Sequence, residues 1–401
     1  GQYHRAIAGG FWDFRLRIAD CKLDAPIGNR QSTIGNSKTH PLPHGATDLI
    51  TQASFIGSVE GFRLSVEQTL LQDRLISIIE RFAERRLLVI GDSIADQFIH
   101  GAISRVSREA PVFILRHEQT ETVPGGAANC AMNLASLGAK VSLISVAGDD
   151  EPGRALVEKL KSAGVDCSGV ITSEAIRTTT KVRILAGQLH STRQQVIRID
   201  YEDEPLNNPD LRAQLRDSVR RQMQTADAAI ISDYNYGVAD DGLIAFARDE
   251  ATTRGIPIVA DSRFGLSNFV GFTSATPNED EVEHLLGRQF TKLSELESEC
   301  ERLRGRLGYR ALLVTRGGHG MVLLQDGVPP VRLEAVGAHE PVDVTGAGDT
   351  VMATYALALA CGSSFSDAAR LANYAGGLVV MKRGTATVMQ EELEHSILQA
   401  H

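Results

Sequence analysis

The stretch Val342-Asp343-Val344-Thr345-Gly346-Ala347-Gly348-Asp349-Thr350 restricts this chain more than any other. It reads as a strand end and then a glycine-rich turn that opens a helix. The helix continues from Val351 to Cys361 and meets a C-terminal stop at Gly362. It is small and apolar on nearly every side, which predicts burial. A buried helix start leaves backbone N–H groups without intrahelical partners. The turn Gly346-Ala347-Gly348 lets an anion approach that backbone closely, because its glycines lack a Cβ. The helix dipole adds positive potential at the same place. Asp349 falls in the first helical turn, a carboxylate beside an anion hole. That pairing suits a hydroxyl that loses a proton while its oxygen accepts a phosphoryl group. For this segment alone, an aspartate that merely stabilises a helix N-terminus is an equally good account.

Composition narrows the classes. With 401 residues and 43% hydrophobic content the chain can hold an α/β domain of roughly 300 residues plus an extension. A net charge of -9 argues against a general nucleic-acid binder. No apolar run reaches the ~18 residues that would suggest a membrane span. The five cysteines are scattered with no CxxC, which fits free thiols in the cytoplasm better than a disulfide frame or a zinc site. Residue 1 is Gly and the first methionine is Met132, so the expected start is not the native initiator or has lost an upstream residue. Residues 1–70 carry turn formers without a sustained period and read as a weakly structured N-terminal extension, lacking the pattern of a signal peptide. Leu70, Leu71, Leu75, Ile78, Ile79 and Phe82 then share one face of a helix expected over Val66 to Phe82.

The rest of the chain alternates strands and helices, with chemistry at the junctions. Strand Arg86–Gly91 ends at Asp92, and Asp92 and Asp96 are acceptors suited to sugar hydroxyls or ordinary loop aspartates. Arg105 and Arg108 lie in Ser104-Arg105-Val106-Ser107-Arg108-Glu109-Ala110-Pro111-Val112 and can hold a phosphate or simply face solvent. Gly125 and Gly126 begin a helix that carries Asn129, a donor and acceptor in one side chain; tight helix packing would also use these glycines. Between Thr178 and Ile199 the pattern alternates, as in antiparallel strands with one polar face, and puts Lys181 and Arg183 on the same side. Gly187 to Arg193 reads as a hairpin connection. Thr276-Pro277-Asn278-Glu279-Asp280-Glu281 opens a helix, with Asn278 and Glu281 also readable as a cap and a first-turn glutamate. Strand Ala311–Thr315 runs into Arg316 and Gly317. There is no GxxxxGK[ST], and no GxGxxG follows the first strand, so P-loop and dinucleotide-binding readings fall away.

In this order, GD-x-x-x-D, SRVSREAP, PGGAAN, TKVR, SDY, TPN-x-x-E, TRG, VTGAGDT and GTATV resemble the signatures of the ribokinase-like (PfkB) sugar kinases. Gly91 to Val388 is most similar to the heptose 7-phosphate kinases that feed ADP-heptose synthesis. The resemblance implies a ribokinase-like three-layer α/β/α domain over residues 71–401, with a small β-sheet lid from strands around 98–120 and 178–200. It implies Asp349 as general base beside Gly346, Ala347 and Gly348. It assigns Asp92, Asp96, Arg105, Gly125, Gly126, Asn129, Lys181 and Arg183 to a sugar phosphate. It assigns Asn278, Glu281, Thr315, Arg316, Gly317 and Asn373 to ATP, with Asn278 and Glu281 organising Mg²⁺ through water and a monovalent cation left open. The implied reaction is ATP-dependent phosphorylation of D-glycero-β-D-manno-heptose 7-phosphate at its anomeric hydroxyl, in a cytoplasmic homodimer joined through the lid strands. The alternatives are another PfkB-type kinase, ribokinase-like or fructokinase-like, or a non-catalytic sugar-binding protein, against which the intact Asp349 speaks. Two departures bear on substrate choice: Tyr236 stands where a lysine is usual, and Asp261-Ser262-Arg263 replaces Asp-Pro-Lys. The relatives' second, nucleotidyltransferase domain is not expected after His401, about 13 residues past Val388.

Overall fold

The computed structural model describes residues 67–187, 194–203, 206–337 and 340–400. The expected extension therefore lies outside the described residues except for its last four positions, as does nearly all of the 187–193 connection. Those last positions belong to a helix, α1, over residues 67–79. Leu75, Ile78, Ile79 and Phe82 are buried as the helical period requires, whereas Leu70 is exposed.

β1 (Arg86–Gly91) leads directly into a hairpin of two long strands, β2 (Ser93–Val106) and β3 (Phe113–Gly126). Next come α2 (Ala127–Ser136), β4 (Lys140–Gly148), α3 (Glu151–Ser162), β5 (Asp166–Ser173) and a second pair, β6 (Thr180–Gly187) and β7 (Gln194–Tyr201). The α/β rhythm returns with α4 (Pro209–Met223), β8 (Ala228–Asp233), α5 (Asp241–Arg254), β9 (Ile258–Ser262), β10 (Ser274–Ala275), α6 (Glu279–Leu286) and α7 (Leu293–Leu307). It closes with β11 (Ala311–Thr315), β12 (Met321–Gln325), β13 (Val328–Leu333), α8 (Ala347–Ala360), α9 (Phe365–Val379) and α10 (Gln390–Gln399).

These strands form two sheets. The nine-stranded one has the order β13-β12-β11-β10-β9-β8-β1-β4-β5, parallel from β11 to β5, with β12 and β13 antiparallel at one edge. Alternate residues of each central strand face opposite layers. Leu87, Val89 and Ile230 pack with α1, α2, α3, α8, α9 and α10. Leu88, Ile90 and Ile231 pack with α4 to α7. The result is the expected three-layer α/β/α domain. The lid is the four-stranded sheet β3-β2-β6-β7, longer than 98–120 and 178–200 because β2 and β3 run down to the main sheet. Val342–Val344 is not a strand end: Val342 and Val344 are exposed, and the N–H groups of Val342 and Asp343 donate to the Val380 carbonyl. α8 is buried from Asp349 through Leu359, as its composition requires. Among the described residues no helix is long and apolar enough to cross a membrane.

Candidate active site

From β1 the chain reaches β4 on one side and returns to β8 on the other, so the carboxyl ends of β1 and β8 flank a topological switch point. Open α/β sheets bind ligands in such a crevice. α8 starts beside it. Gly346 caps that helix in a left-handed conformation (φ 76°), and a Cβ there would fall 2.5 Å from Asn129 Nδ2, so glycine is required on both counts. Asp349 follows in the first turn, almost fully buried. Asn129 Nδ2 donates to its Oδ2 at 2.7 Å, and the Tyr234 hydroxyl donates to its Oδ1 at 3.0 Å. Burial outweighs these two donors and pushes the Asp349 carboxyl up to about 6. Asn129 is itself oriented, since Asn133 Nδ2 donates to its carbonyl and side-chain oxygens at 3.0 and 3.2 Å, and Thr350 Oγ1 donates to Asn133 Oδ1 at 2.9 Å. Tyr234 belongs to the SDY signature but the sequence gives it no role, and Asn133 falls outside every signature. Asn133 lay one helical turn beyond Asn129, the only signal available.

On the sugar side the structure brings together Asp96, Arg183, Gly125 and Gly126. Arg183 forms an ion pair with Asp96 across the β2–β6 junction. Gly125 abuts the same carboxylate, where a Cβ would fall 2.5 Å from Asp96 Oδ2. Lys181 and Arg183 sit two apart on β6, and Lys181 is 8% exposed with its Nζ 5.7 Å from the Tyr236 ring centroid. Burial first, then the Arg263 cation, pulls the Lys181 ammonium below the usual lysine value. Asp92 has a different position from the one expected. Its carboxylate accepts the backbone N–H groups of Tyr234 (2.9 Å), Tyr236 (3.0 Å) and Val238 (3.0 Å), and so braces the loop after β8. Burial still raises the carboxyl to about 6. Arg105 is not brought to this region within one chain. It lies nine residues beyond Asp96 on β2, roughly 30 Å at the usual strand rise, exposed near the hairpin tip as Arg108 is.

A cleft of about 440 Å³ opens on the other side of α8's start, lined by Thr315, Gly317, Gly320, Val336, Ala347, Gly348 and Gly376 among others. Gly348 and Gly317 have open space where a Cβ would stand, so both backbones can be approached. Asn373 also lines it, with its amide donating to the Glu334 carbonyl at 2.6 Å to hold the far wall. Arg316 is turned away from the expected role: its Nε pairs with Glu279 at 3.0 Å. Asn278 and Glu281 form a reciprocal capping box on α6, with Glu281 Oε2 accepting the Asn278 N–H and Asn278 Oδ1 accepting the Glu281 N–H. Each keeps only part of its polar capacity for anything else. The Glu281 carboxyl is pushed up to about 7 by burial. Asp261 is held well above the carboxylate range by desolvation and then by the Glu281 and Asp349 charges. Among the described residues no three His, Cys, Asp or Glu side chains are placed to hold a metal ion by themselves.

A buried carboxylate at a helix start, with polar side chains of β2 and β6 to one side and a glycine-lined cleft to the other, is an arrangement compatible with phosphoryl transfer to a hydroxyl. The sequence model of the pfkB family carbohydrate kinases matches residues 85–392. The chain belongs to that family. It is an ATP-dependent carbohydrate kinase. Among curated relatives, bifunctional protein HldE of Alcanivorax borkumensis is 40% identical over 324 residues, covering 80% of this chain and 65% of the relative. HldE of Pseudomonas aeruginosa strain LESB58 is 41% identical over 318 residues, covering 79% and 64%. The chain thus spans about two thirds of the length of these relatives. Among solved structures, Arabidopsis thaliana ribokinase complexed with ribose and ATP superposes with a TM-score of 0.61 at 21% identity, covering 79% of this chain and 99% of that one. Escherichia coli phosphofructokinase-2 gives 0.64 at 19%, covering 78% and 98%. These last two establish the shared fold.

Proposed function

We propose that this kinase phosphorylates a sugar that already carries a phosphate, D-glycero-β-D-manno-heptose 7-phosphate, at its anomeric hydroxyl. The observation that carries the reading is Lys181. Among the described residues its buried ammonium forms no ion pair; Arg263 opposes its charge, while Asp200, Asp96 and Glu202 lie near enough to favour it without pairing with it. Two cations this close, neither of them neutralised by a direct pair, suit an anion that binds both. Arg263 stands where the resemblance expects a lysine, and Tyr236 occupies the other lysine position while its ring covers Lys181.

Asp349, ionised, takes the proton of the acceptor hydroxyl as the new oxygen–phosphorus bond forms. Asn129 and Tyr234 hold its carboxylate. Asp96, fixed by Arg183, and the bare backbone at Gly125 orient the sugar. The backbone at Gly346 and Gly348 faces developing negative charge with the helix dipole behind it, the Ala347 N–H donating to the Val344 carbonyl at 3.2 Å. ATP, when bound, supplies the phosphoryl group, and the cleft bounded by Thr315, Gly317 and Asn373 fits its nucleoside and phosphates. Mg²⁺ keeps most of its waters, so Glu281 with Asp261 nearby would meet it through them. The test is a panel of phosphorylated and free sugars assayed for ATP consumption. Heptose 7-phosphate should exceed free heptose in kcat/KM by more than tenfold, and Lys181→Ala should narrow that ratio. Equal values for the two sugars would reject the phosphosugar and favour a ribokinase-like or fructokinase-like acceptor.

A further inference from the structure

Tyr234 follows β8 at the switch point, and its two ends do different things. Its backbone N–H donates to Asp92 Oδ2 at 2.9 Å, while its hydroxyl donates to Asp349 Oδ1 at 3.0 Å. Asp92 also takes the N–H groups of Tyr236 and Val238, and between Tyr234 and Tyr236 stands Asn235, the one non-glycine among the described residues with left-handed φ (66°). A loop in that conformation needs external bracing. The buried Asp92 carboxylate supplies it, and thereby fixes where the Tyr234 ring starts.

At the other end the hydroxyl meets a carboxylate that has no cation as partner. The groups near Asp349 are Asn129 and the Cys130 thiol from α2, Asp96 from β2, Tyr234, and Asp261 from β9, with Glu281 of α6 acting on Asp261 and Tyr234. Asp96 is already paired with Arg183. Burial, with the Asp96 charge adding to it, disfavours a charged Asp349, so its ionised form depends on two neutral donors, Asn129 and Tyr234. Each occupies one carboxylate oxygen and leaves that oxygen capacity for a further donor. Burial and the surrounding carboxylates hold the Tyr234 phenol far above its ordinary value, so it remains a donor throughout the working pH range.

Resting on Asp349 as the base, we propose that Tyr234 is a positioning residue, which fixes the Asp349 carboxylate in its proton-accepting orientation and keeps it ionised, and that Asp92 acts on the base through Tyr234. A phenylalanine would fill the same space, so the inference concerns the hydroxyl alone.

The decisive variant is Tyr234→Phe. Loss of a donor to the charged form raises the carboxyl. The acid limb of kcat/KM should move up by about one pH unit, and kcat near neutrality should fall roughly tenfold, with KM for ATP within about twofold of the parent. The same displacement should appear without turnover in the ¹³C resonance of carboxyl-labelled aspartate that Asp349→Asn removes. If Tyr234→Phe fails to fold, 3-fluorotyrosine at position 234 keeps the ring and sharpens the donor, and should move the midpoint down. An unmoved limb and midpoint, or a loss confined to KM, overturns the proposal. Failure of the base assignment has another signature: Asp349→Asn would retain turnover.

Discussion

At the residue scale the site turns on how burial and hydrogen bonding compete for one proton. Asp349 carries two donors, which would lower a carboxyl in water, yet desolvation wins and leaves it at about 6. As the proposed base it works only when ionised. Below about pH 6 the native group holds its proton, so kcat/KM should fall about tenfold per unit as pH drops and level off above it. Asp349→Asn removes the base but keeps a neighbour for Asn129. It should cost roughly two orders of magnitude or more in kcat while ATP still binds, measured by steady-state turnover beside calorimetric titration of ATP. Near-normal turnover would remove Asp349 from the mechanism. Motif spelling identified this residue but not its surroundings. Asp92 and Arg316 sit in the same kind of motif, and tertiary contacts engage them elsewhere: three N–H groups of a distant loop for one, Glu279 for the other. Spacing along a chain cannot show which acceptors a folded loop will occupy.

At the element scale, alternation pointed to the strand pair β6 and β7, whereas β2 and β3 came only from the resemblance. The same signal misread Val342-Asp343-Val344. Its valines are exposed, and Asp343 spends its two oxygens on the N–H groups of Thr345 and Gly384, a partnership 41 residues apart that no local pattern carries. β2 also exceeded its expected start, since its first residues pair with Gly125 and Gly126 just before α2. The lid's outer edge poses a physical problem. Every residue of β7 is exposed, including Val196, Ile197, Ile199 and Tyr201, and among the described residues the strand pairs on one side only. Apolar edge strands invite pairing, and native proteins cover or charge them. We propose that a second copy of this chain covers β7. Ile197 and Ile199 share a face by the two-residue period. Ile197→Asp combined with Ile199→Lys should convert a dimer to a monomer in sedimentation velocity. A parent that sediments as a monomer, or a variant whose mass is unchanged, would place the interface elsewhere or nowhere.

At the scale of the whole molecule, the family match begins at residue 85, but the packed core begins earlier. Leu75, Ile78, Ile79 and Phe82 are each 3% exposed or less and belong to the layer that contains α8 and α10. Polar contacts tie α1 to the distal end of the chain. Arg74 makes two bonds to Asp367 at the start of α9, at 3.0 and 2.9 Å, and Gln72 Nε2 donates to the Ile397 carbonyl of α10 at 2.9 Å. The Arg74 side chain is half exposed, so that pair adds little beyond orientation. The apolar term is larger. Four large side chains at about 1.5–3 kcal/mol each give about 6–12 kcal/mol, comparable to the whole stability of a typical domain. A chain begun at Arg86, where motif matching alone would cut, should therefore fail to fold cooperatively. A chain begun at Val66 keeps all four residues and should retain both the melting temperature and the kcat of the 401-residue protein. Calorimetry and turnover on the two truncations separate the cases. A cooperative melt from the Arg86 chain would show that α1 contributes little, and lost solubility or activity in the Val66 chain would show that residues 1–65 belong to the working enzyme.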